Sequence, residues 1–153
     1  MNYDQLKLEN QLCFPLYAAS RLIIRAYQND LDFLGITYTQ YLVLMVLWET
    51  DELSVNEIAE KLILNTNTVT PLLKRMESMQ LLMRMPSKTD QRKVMICLTE
   101  QGKALQSRAT EVPFHLLKKL NMTMTEAEIA DVLELKNRLY KIIHTLETSE
   151  NKL

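Results

Sequence analysis

The chain has 153 residues, of which 47% are hydrophobic and 24% are charged, and its formal net charge is −1. This length suits one domain with an ample core, and two glycines with four prolines are too few for the tight turns of an all-β fold. Because no apolar run reaches the length of a membrane span and the polar N-terminus lacks a signal-peptide core, we expect a mainly α-helical cytoplasmic protein without a membrane partner.

Positive charge is concentrated in the middle of the chain. Residues 61–93 contain seven basic and two acidic residues, a net charge of +5, whereas the rest of the chain carries −6. Local charge matters more than total charge for contact with phosphates, so this segment favours a nucleic-acid interface although the total is negative. An unevenly charged solvated surface would give the same count, and charge alone leaves both interpretations open.

The first predicted helix covers roughly residues 10–32 and carries apolar residues at helical spacing. Cys13 lies near its start, and Tyr17 follows one turn later on the same face, where its hydroxyl can reach the sulfur. Pro15 suits a first helical turn, and the amide dipoles of a helix that begins here favour a thiolate. Cysteine is also among the residue types most often buried and inert, so these residues alone leave the role of Cys13 open.

Two capping-box patterns mark the next helices. T-x-x-Q at residues 37–40 predicts a buried helix that ends near residue 49, and S-x-x-E at residues 54–57 predicts a short helix that ends near residue 62. After the polar break NTNT, a further helix runs to about residue 79. Two short helices joined by about four residues form the pattern of a helix-turn-helix.

The second helix of this pair has two distinct faces. Its apolar residues recur at helical spacing and form the inward face: Val69, Leu72, Leu73, Met76 and Met79. The residues outside that stripe are polar or basic: Thr66, Asn67, Thr70, Lys74 and Arg75. Such an outer side supplies the hydrogen-bonding and cationic groups that contact with DNA requires.

A β-hairpin is predicted directly after this helix. Residues 93–98 alternate in the manner of a strand, residues 81–85 can pair with them, and PSKTDQR forms the polar tip. A helix-turn-helix followed by a charged hairpin is a winged helix-turn-helix. The expected fold class is therefore mainly α with a small β-wing.

Two longer helices follow the hairpin. One runs from about residue 99 to 119 with an expected bend at Pro113, and the other runs from Thr125 to about residue 147, with Glu128 completing a third capping box. Together with the first helix they carry more apolar surface than a small winged domain can cover. We expect them to pack against a second copy of the chain, and a monomer with a larger core is the alternative.

This order of elements resembles the MarR family of bacterial transcription regulators over nearly the whole chain. Three stretches, LENQLCFPLYAASR, ITYTQYLVLMVLWE and NTNTVTPLLKRME, are similar to the organic-hydroperoxide-sensing OhrR-type branch of that family, and DQR fits the family's D-x-R wing tip. The resemblance implies a single MarR-like domain over residues 1–153, with a winged DNA-binding lobe at about 37–99 and dimerisation helices at about 8–34 and 100–148.

For DNA, the resemblance implies a homodimeric repressor that binds a pseudo-palindromic operator in double-stranded DNA. The helix from about residue 65 to 79 would enter the major groove and the wing the minor groove, with half-sites about one helical turn, roughly 10 bp, apart. Lys74 and Arg75 would hold phosphates, while Arg92 suits the negative potential of a narrow minor groove and Asp90 would position it.

The candidate DNA-binding residues are Thr66, Asn67, Thr68, Thr70, Lys74, Arg75, Lys88, Asp90 and Arg92. One of them departs from the pattern. Many relatives of this type have glycine where this chain has Asn67, which leaves the base preference open.

For the thiol, the resemblance implies that an organic hydroperoxide oxidises Cys13 and releases the DNA, with Tyr17, Tyr27 and Tyr38 as hydrogen-bond donors at the redox-sensing sulfur. Tyr27 lies 14 residues from Cys13, roughly 21 Å along one continuous helix, so it can reach only the Cys13 of a second copy. A low-molecular-weight thiol can cap the oxidised sulfur. Cys97 is expected on the wing strand as a structural residue, and interface packing is the alternative role for the three tyrosines.

Other functions fit parts of the sequence. The main alternative is a MarR-type regulator that responds to a phenolic or other small ligand at the dimer interface, with Cys13 not a sensor. An enzyme is not expected, because His115 and His144 lie on separate helices and no metal-ligand or glycine-rich phosphate motif is present; we therefore predict no metal and no cofactor. A winged helix that contacts only proteins is disfavoured by the +5 segment.

Overall fold

The structure, a computed structural model, describes residues 3–87 and 93–150. Two short 3₁₀ turns, Asp4–Leu6 and Leu8–Asn10, come first. The α-helices are α1 Cys13–Leu34, α2 Tyr38–Glu49, α3 Val55–Leu62, α4 Thr66–Ser78, α5 Glu100–Ala109, α6 Val112–Lys119 and α7 Glu126–Glu150. The strands are β1 Leu53–Ser54, β2 Leu82–Pro86 and β3 Val94–Leu98. This order confirms the predicted mainly α-helical fold with a small wing.

The chain divides into two compact units, Met1–Pro113 and Phe114–Leu153. Among the described residues, no single helix is both long and apolar enough to cross a membrane. The helices α1 and α2 meet that length and composition only as a pair, which is bent by 73°. The division into a DNA-binding lobe and dimerisation helices stays a prediction.

The junction between α1 and α2 is formed by local signals in the sequence. Gly35 ends α1 in the left-handed region at φ 73°, which a residue without Cβ adopts at little cost. Thr37 then caps α2 in the predicted capping box: its Oγ1 accepts from the Gln40 amide at 3.4 Å, and the Gln40 side chain accepts from the Thr37 amide at 2.8 Å.

The helix-turn-helix is made by α3 and α4. The Ser54 hydroxyl accepts from the Glu57 amide, and the Glu57 carboxylate accepts from the Ser54 amide at 2.7 Å, which confirms the second capping box. α3 ends at Ile63 in the left-handed region at φ 55°, and α4 begins three residues later at Thr66. Its inward residues Val69, Leu73 and Met76 are fully buried, as the apolar stripe predicted.

The wing is an antiparallel hairpin of β2 and β3, in register from Leu82 opposite Leu98 to Pro86 opposite Val94. A third strand, β1, pairs with the other edge of β3, with Leu53 opposite Ile96, and was not predicted. The sheet order is therefore β1-β3-β2. The predicted wing residues Lys88, Asp90 and Arg92 lie outside the described residues.

α5 packs against the start of the wing at Gly102. A Cβ on this residue would lie 2.0 Å from the Leu81 carbonyl oxygen, so the backbones of α5 and residue 81 meet at a distance that only glycine allows. The Trp48 indole Nε1 donates to the Gly102 carbonyl at 3.0 Å and joins α2 to the same point. These contacts fix α2, α5 and the wing to one core.

The expected single helix over residues 99–119 is instead two helices, α5 and α6, separated by Thr110 and Glu111. Pro113 has no amide hydrogen, and its ring clashes with the carbonyl four residues earlier in a continuous helix, which here is Ala109. α5 ends at that residue, and Pro113 lies in the first turn of α6, where proline is tolerated.

In the second unit, α7 begins at the third predicted capping box. The Thr125 hydroxyl accepts from the Glu128 amide at 3.3 Å, and the Glu128 carboxylate accepts from the Thr125 amide at 2.9 Å. Large apolar side chains along α7 are nevertheless exposed: Ile129, Val132, Leu133, Leu135, Tyr140, Ile142 and Leu146. These side chains form an exposed apolar stripe along α7.

Candidate DNA-binding surface and thiol site

The outer face of α4 carries the predicted DNA-contacting side chains. Thr66, Asn67 and Thr68 are exposed in its first turn, and Lys74 and Arg75 are exposed two turns later. The Thr70 side chain is half-buried, and its hydroxyl donates to the Thr66 carbonyl at 2.7 Å. The structure therefore brings the three first-turn residues and the two cations to one solvent-facing side, while Thr70 is engaged with its own helix.

The N-terminus of α4 differs from that of its neighbours. Thr37, Ser54 and Thr99 each accept a hydrogen bond from an amide in the first turn of their own helix. Within the described ranges, Asn65 at the start of α4 makes no such side-chain bond. The first-turn amides of α4 are therefore free of a side-chain cap, and amides in this position attract anions such as phosphate.

A contact that the sequence did not predict joins the wing to α4. Arg84 on β2 reaches the Thr70 carbonyl with Nη2 at 3.5 Å, and its Nε lies 3.3 Å from the Glu77 Oε2. That nitrogen is buried and, in the part of the chain that the structure describes, lacks a well-aligned hydrogen-bond acceptor, so the interaction with Glu77 is an ion pair rather than a hydrogen bond. The arginine couples the position of the wing strand to that of α4.

Cys13 is the first residue of α1, and its side chain is exposed. The residue before it, Leu12, has no side chain that can cap the helix, and the structure shows no cap bond there among the residues described. The sulfur therefore lies at the N-terminal end of α1. Leu12 and Phe14 flank it and are exposed as well.

Tyr17 lies one turn from Cys13 on the same face of α1 and is 59% exposed. Its hydroxyl oxygen accepts a hydrogen bond from Arg21 Nη1 at 3.0 Å, and the guanidinium carbon of Arg21 lies 5.4 Å from the ring centroid. In this contact the phenol oxygen is the acceptor, so its O–H group is not used as a donor to Arg21. Arg21 was not predicted as part of this site, although its i+4 spacing from Tyr17 is visible in the sequence.

Tyr27 and Tyr38 meet in an aromatic cluster with Tyr41 and Trp48. The ring centroids of Tyr27 lie 5.5 Å from Tyr38 and 6.2 Å from Tyr41, and Tyr41 meets Trp48 edge-on at 6.2 Å. Burial raises the pKa of Tyr27, and the neighbouring Tyr38 and Tyr41 raise it further. Burial likewise raises the pKa values of Tyr38 and Tyr41, so these phenols are protonated donors at neutral pH.

Within one chain, Cys13 and this cluster are far apart. α1 is continuous from Cys13 to Leu34, which confirms the helix on which the separation depends, and Tyr27 lies fourteen residues along it, roughly 21 Å from Cys13. The structure therefore brings Tyr27 and Tyr38 together but not with the sulfur of the same chain. Tyr17 alone of the three predicted tyrosines is a neighbour of Cys13 along the helix.

Comparison with known proteins identifies relatives over nearly the whole chain. The family model "Transcriptional regulator SarA/Rot" matches residues 25–108. The chain is 44% identical over 144 residues to the organic hydroperoxide resistance transcriptional regulator of Bacillus subtilis, covering 94% of this chain and 95% of that protein. It is 36% identical to the HTH-type transcriptional regulator MgrA of Staphylococcus aureus, covering 97% and 99% of the two chains.

Among solved structures, the chain is similar to AbfR in its reduced, DNA-bound form, with 36% identity, a TM-score of 0.69 and coverage of 92% of this chain and 98% of AbfR. AbfR, a protein of Staphylococcus epidermidis, has also been solved overoxidised on DNA and with a disulfide formed. The Bacillus subtilis and Staphylococcus aureus relatives are named as transcriptional regulators, and the AbfR structure contains bound DNA.

Proposed function

Because the chain belongs to the SarA/Rot family of MarR-like winged-helix regulators, and is thus a DNA-binding transcriptional regulator, we propose that it is a repressor released from its operator when organic hydroperoxide oxidises Cys13. The observation that carries this proposal is the position of Cys13, an exposed thiol on the first residue of a helix that has no side-chain cap among the residues described. The name of the Bacillus subtilis relative supports the same class of oxidant.

DNA binding uses the outer face of α4. Thr66, Asn67 and Thr68, at the end of the helix without a side-chain cap among the residues described, bond phosphates and base edges in the major groove. Lys74 and Arg75 hold the phosphate backbone. The wing residues Lys88, Asp90 and Arg92 belong to the proposal on the resemblance alone, with Arg92 in the minor groove.

The functional unit is a homodimer. The exposed apolar stripe of α7 and the exposed apolar side chains around the start of α1 (Leu12, Phe14 and Leu16) need a cover, and a second copy of the chain supplies one. In such a dimer Cys13 of one protomer lies near Tyr27 and Tyr38 of the other, which its own helix prevents it from reaching. Two copies of α4 then read half-sites about one helical turn apart.

The chemistry at Cys13 is a two-electron oxidation. The thiolate attacks the outer oxygen of the hydroperoxide, an S–O bond forms as the O–O bond breaks, and the alkoxide that leaves takes a proton from solvent. The sulfur is now a sulfenic acid and the peroxide has become an alcohol. A low-molecular-weight thiol, where present, condenses with the sulfenic acid to a mixed disulfide and water.

Release of DNA follows from where the aromatic cluster lies. Tyr27 and Tyr38 join the end of α1 to the start of α2, and Trp48 links α2 to α5 beside the wing. A polar or capped sulfur between the protomers displaces these phenols and changes the packing of α1 on α2. The spacing of the two α4 helices then no longer matches the operator.

A gel shift on the DNA upstream of the protein's own gene tests the proposal. The reduced protein retards the fragment, cumene hydroperoxide abolishes the shift, and a thiol reductant restores it. DNA binding that is insensitive to peroxide would reject the redox switch and leave DNA binding intact.

A second candidate is supported by a cavity of about 320 Å³ at the junction of α1, α5 and the segment before β2. Its walls combine apolar side chains such as Ile36 and Leu105 with Arg108, whose guanidinium donates to the Phe33 carbonyl at 3.2 Å. This mixture of apolar surface and one positive charge suits a small apolar anion. Under this alternative a ligand rather than oxidation releases the DNA. Peroxide would then act alike on wild type and on a Cys13→Ser variant: it would release DNA from both proteins or from neither.

A further inference from the structure

One face of the wing hairpin carries four sulfur atoms, three on methionines that are exposed or half-buried and one on the buried Cys97. In the pairing of β2 with β3, Met83 lies opposite Cys97 and Met85 lies opposite Met95. Residues paired across two strands project to the same face, as do residues two apart on one strand, so all four side chains share a face. The other face turns its apolar residues Leu82, Ile96 and Leu98 into the core.

The spacing of these four residues suits one bound ion. Cross-strand partners have Cβ atoms about 4.5–5.5 Å apart, and residues two apart on a strand lie about 7 Å apart. A methionine side chain has three rotatable bonds. The three methionine sulfurs can therefore converge above the rectangle that the four Cβ atoms form. Met83 and Met85 are 42% and 41% exposed and open to solvent, whereas Cys97, at the base, is 7% exposed.

The chemistry of the donors selects the ion. Thioether and thiolate sulfurs are soft ligands that favour Cu(I), whereas Mg²⁺, Ca²⁺ and Mn²⁺ prefer oxygen. No group of three or more His, Cys, Asp or Glu side chains in residues 3–87 and 93–150 is placed to hold a metal. We therefore propose that the wing sulfur face, formed by Met83, Met85, Met95 and Cys97, binds one Cu(I) ion per chain.

Binding is a ligand exchange in which copper stays Cu(I). The Cys97 thiol gives its proton to solvent as the S–Cu bond forms, and the methionine sulfurs donate electron pairs, so affinity falls as the pH is lowered. The ion links β2 to β3 across the hairpin. The site is separate from Cys13 on α1 and does not depend on the proposed redox switch.

An anaerobic titration of the full-length Cys13→Ser variant with Cu(I), in competition with a colorimetric Cu(I) chelator, tests the proposal without a contribution from Cys13. We expect one Cu(I) per chain. Changing Met83, Met85 and Met95 together to leucine, which keeps the side-chain volume, should lower the affinity at least tenfold. The control Met124→Leu replaces another exposed methionine and should leave the affinity unchanged.

A second readout uses the protein with all its methionines. On addition of Ag(I) to protein labelled with ¹³C in the methionine methyl groups, the resonances of Met83, Met85 and Met95 should shift, and that of Met124 should not. This measurement tests metal binding at the wing methionines without relying on the stability of the triple variant. Equal Cu(I) affinity in the triple-leucine and control variants, or wing methyl resonances that stay in place with Ag(I), would overturn the proposal.

Discussion

The rings of Tyr27 and Tyr38 lie 5.5 Å apart and join the C-terminal half of α1 to the first residue of α2. Cys13 lies at the opposite end of α1, beyond reach of either phenol in its own chain. A sensor that uses these three residues together must therefore be completed by a second protomer. The proposed redox sensing therefore requires the homodimer.

Changing Tyr27 to Phe keeps the ring contacts and removes one hydroxyl. A hydrogen bond to a charged group contributes about 1.5 kcal/mol or more, so peroxide should form sulfenic acid on Cys13 about tenfold more slowly. DNA affinity of the reduced protein should stay within about twofold. The rate is measured by trapping the sulfenic acid and quantifying it by mass spectrometry. An unchanged rate in Tyr27→Phe would argue against its role.

Changing Lys74 to Ala should weaken DNA binding to all sequences alike. Each phosphate contact contributes about one unit to the slope of log affinity against log salt, so the slope should fall by about one for each protomer bound. Fluorescence anisotropy between 50 and 200 mM salt, roughly the range where such losses are large, measures it. Lys103→Ala is the matched control, because Lys103 pairs with Glu100 on α5. An equal loss of DNA affinity in both variants would show that Lys74 on α4 does not contact the DNA.

Changing Gly102 to Ala should destabilise the fold by about 2–4 kcal/mol, because the added Cβ would lie 2.0 Å from a backbone oxygen that has little room to move. For a chain of this size the melting temperature should fall by roughly 10 °C. Gly35→Asn is the control: its φ of 73° suits asparagine, and nothing lies within 4 Å of its Cβ position. Calorimetry of both variants compares them, and similar melting temperatures would contradict the close approach at Leu81.

The capping box of α3 predicts a pH dependence of stability. Hydrogen bonds from the Ser54 hydroxyl and amide lower the pKa of Glu57 below its ordinary 4.5. A carboxyl whose pKa is lower in the folded state stabilises the fold above its unfolded pKa, and this contribution is lost as the pH falls through the folded value. Glu57 is exposed, so we expect about 0.5 kcal/mol.

Urea unfolding of Glu57→Gln tests this dependence. The variant should be less stable than wild type at pH 7, and the gap should shrink below pH 4.5, the ordinary pKa of the group. Glu60→Gln, at an exposed carboxylate of the same helix outside the capping box, is the control and should show little gap. If the stability difference between wild type and Glu57→Gln stays constant with pH, the negative charge of the Glu57 carboxylate does not stabilise the fold.

Much of the fold could be predicted because its signals are local. Three capping boxes and the apolar stripe of α4 lie within a few residues of the structures that they specify. The two-residue strand β1 could not be predicted in this way, because Leu53 and Ser54 form a strand only through pairing with β3. The break between α5 and α6 depends on Pro113, which the sequence marked as a bend but not as two helices.

In the candidate site, too, features set by local sequence could be predicted and features set by tertiary packing could not. The exposed face of α4 and the spacing of Cys13 and Tyr17 follow from helical periodicity. Tyr41 was missed because its partners, Tyr27 and Trp48, are brought to it by packing of α1 on α2 and by the length of α2 itself. Arg84 was missed because its contact with Glu77 depends on where the wing strand returns past α4.

The central claim is that each sulfur is served by phenols of the other protomer, and mixed dimers test it most directly. A Cys13→Ser protomer is paired with a Tyr27→Phe, Tyr38→Phe protomer, so that the only sulfur at position 13 faces intact phenols across the interface. We predict that this Cys13 is oxidised by cumene hydroperoxide at the wild-type rate, whereas it reacts slowly in the Tyr27→Phe, Tyr38→Phe homodimer. Oxidation that is equally slow in the mixed dimer would contradict the account.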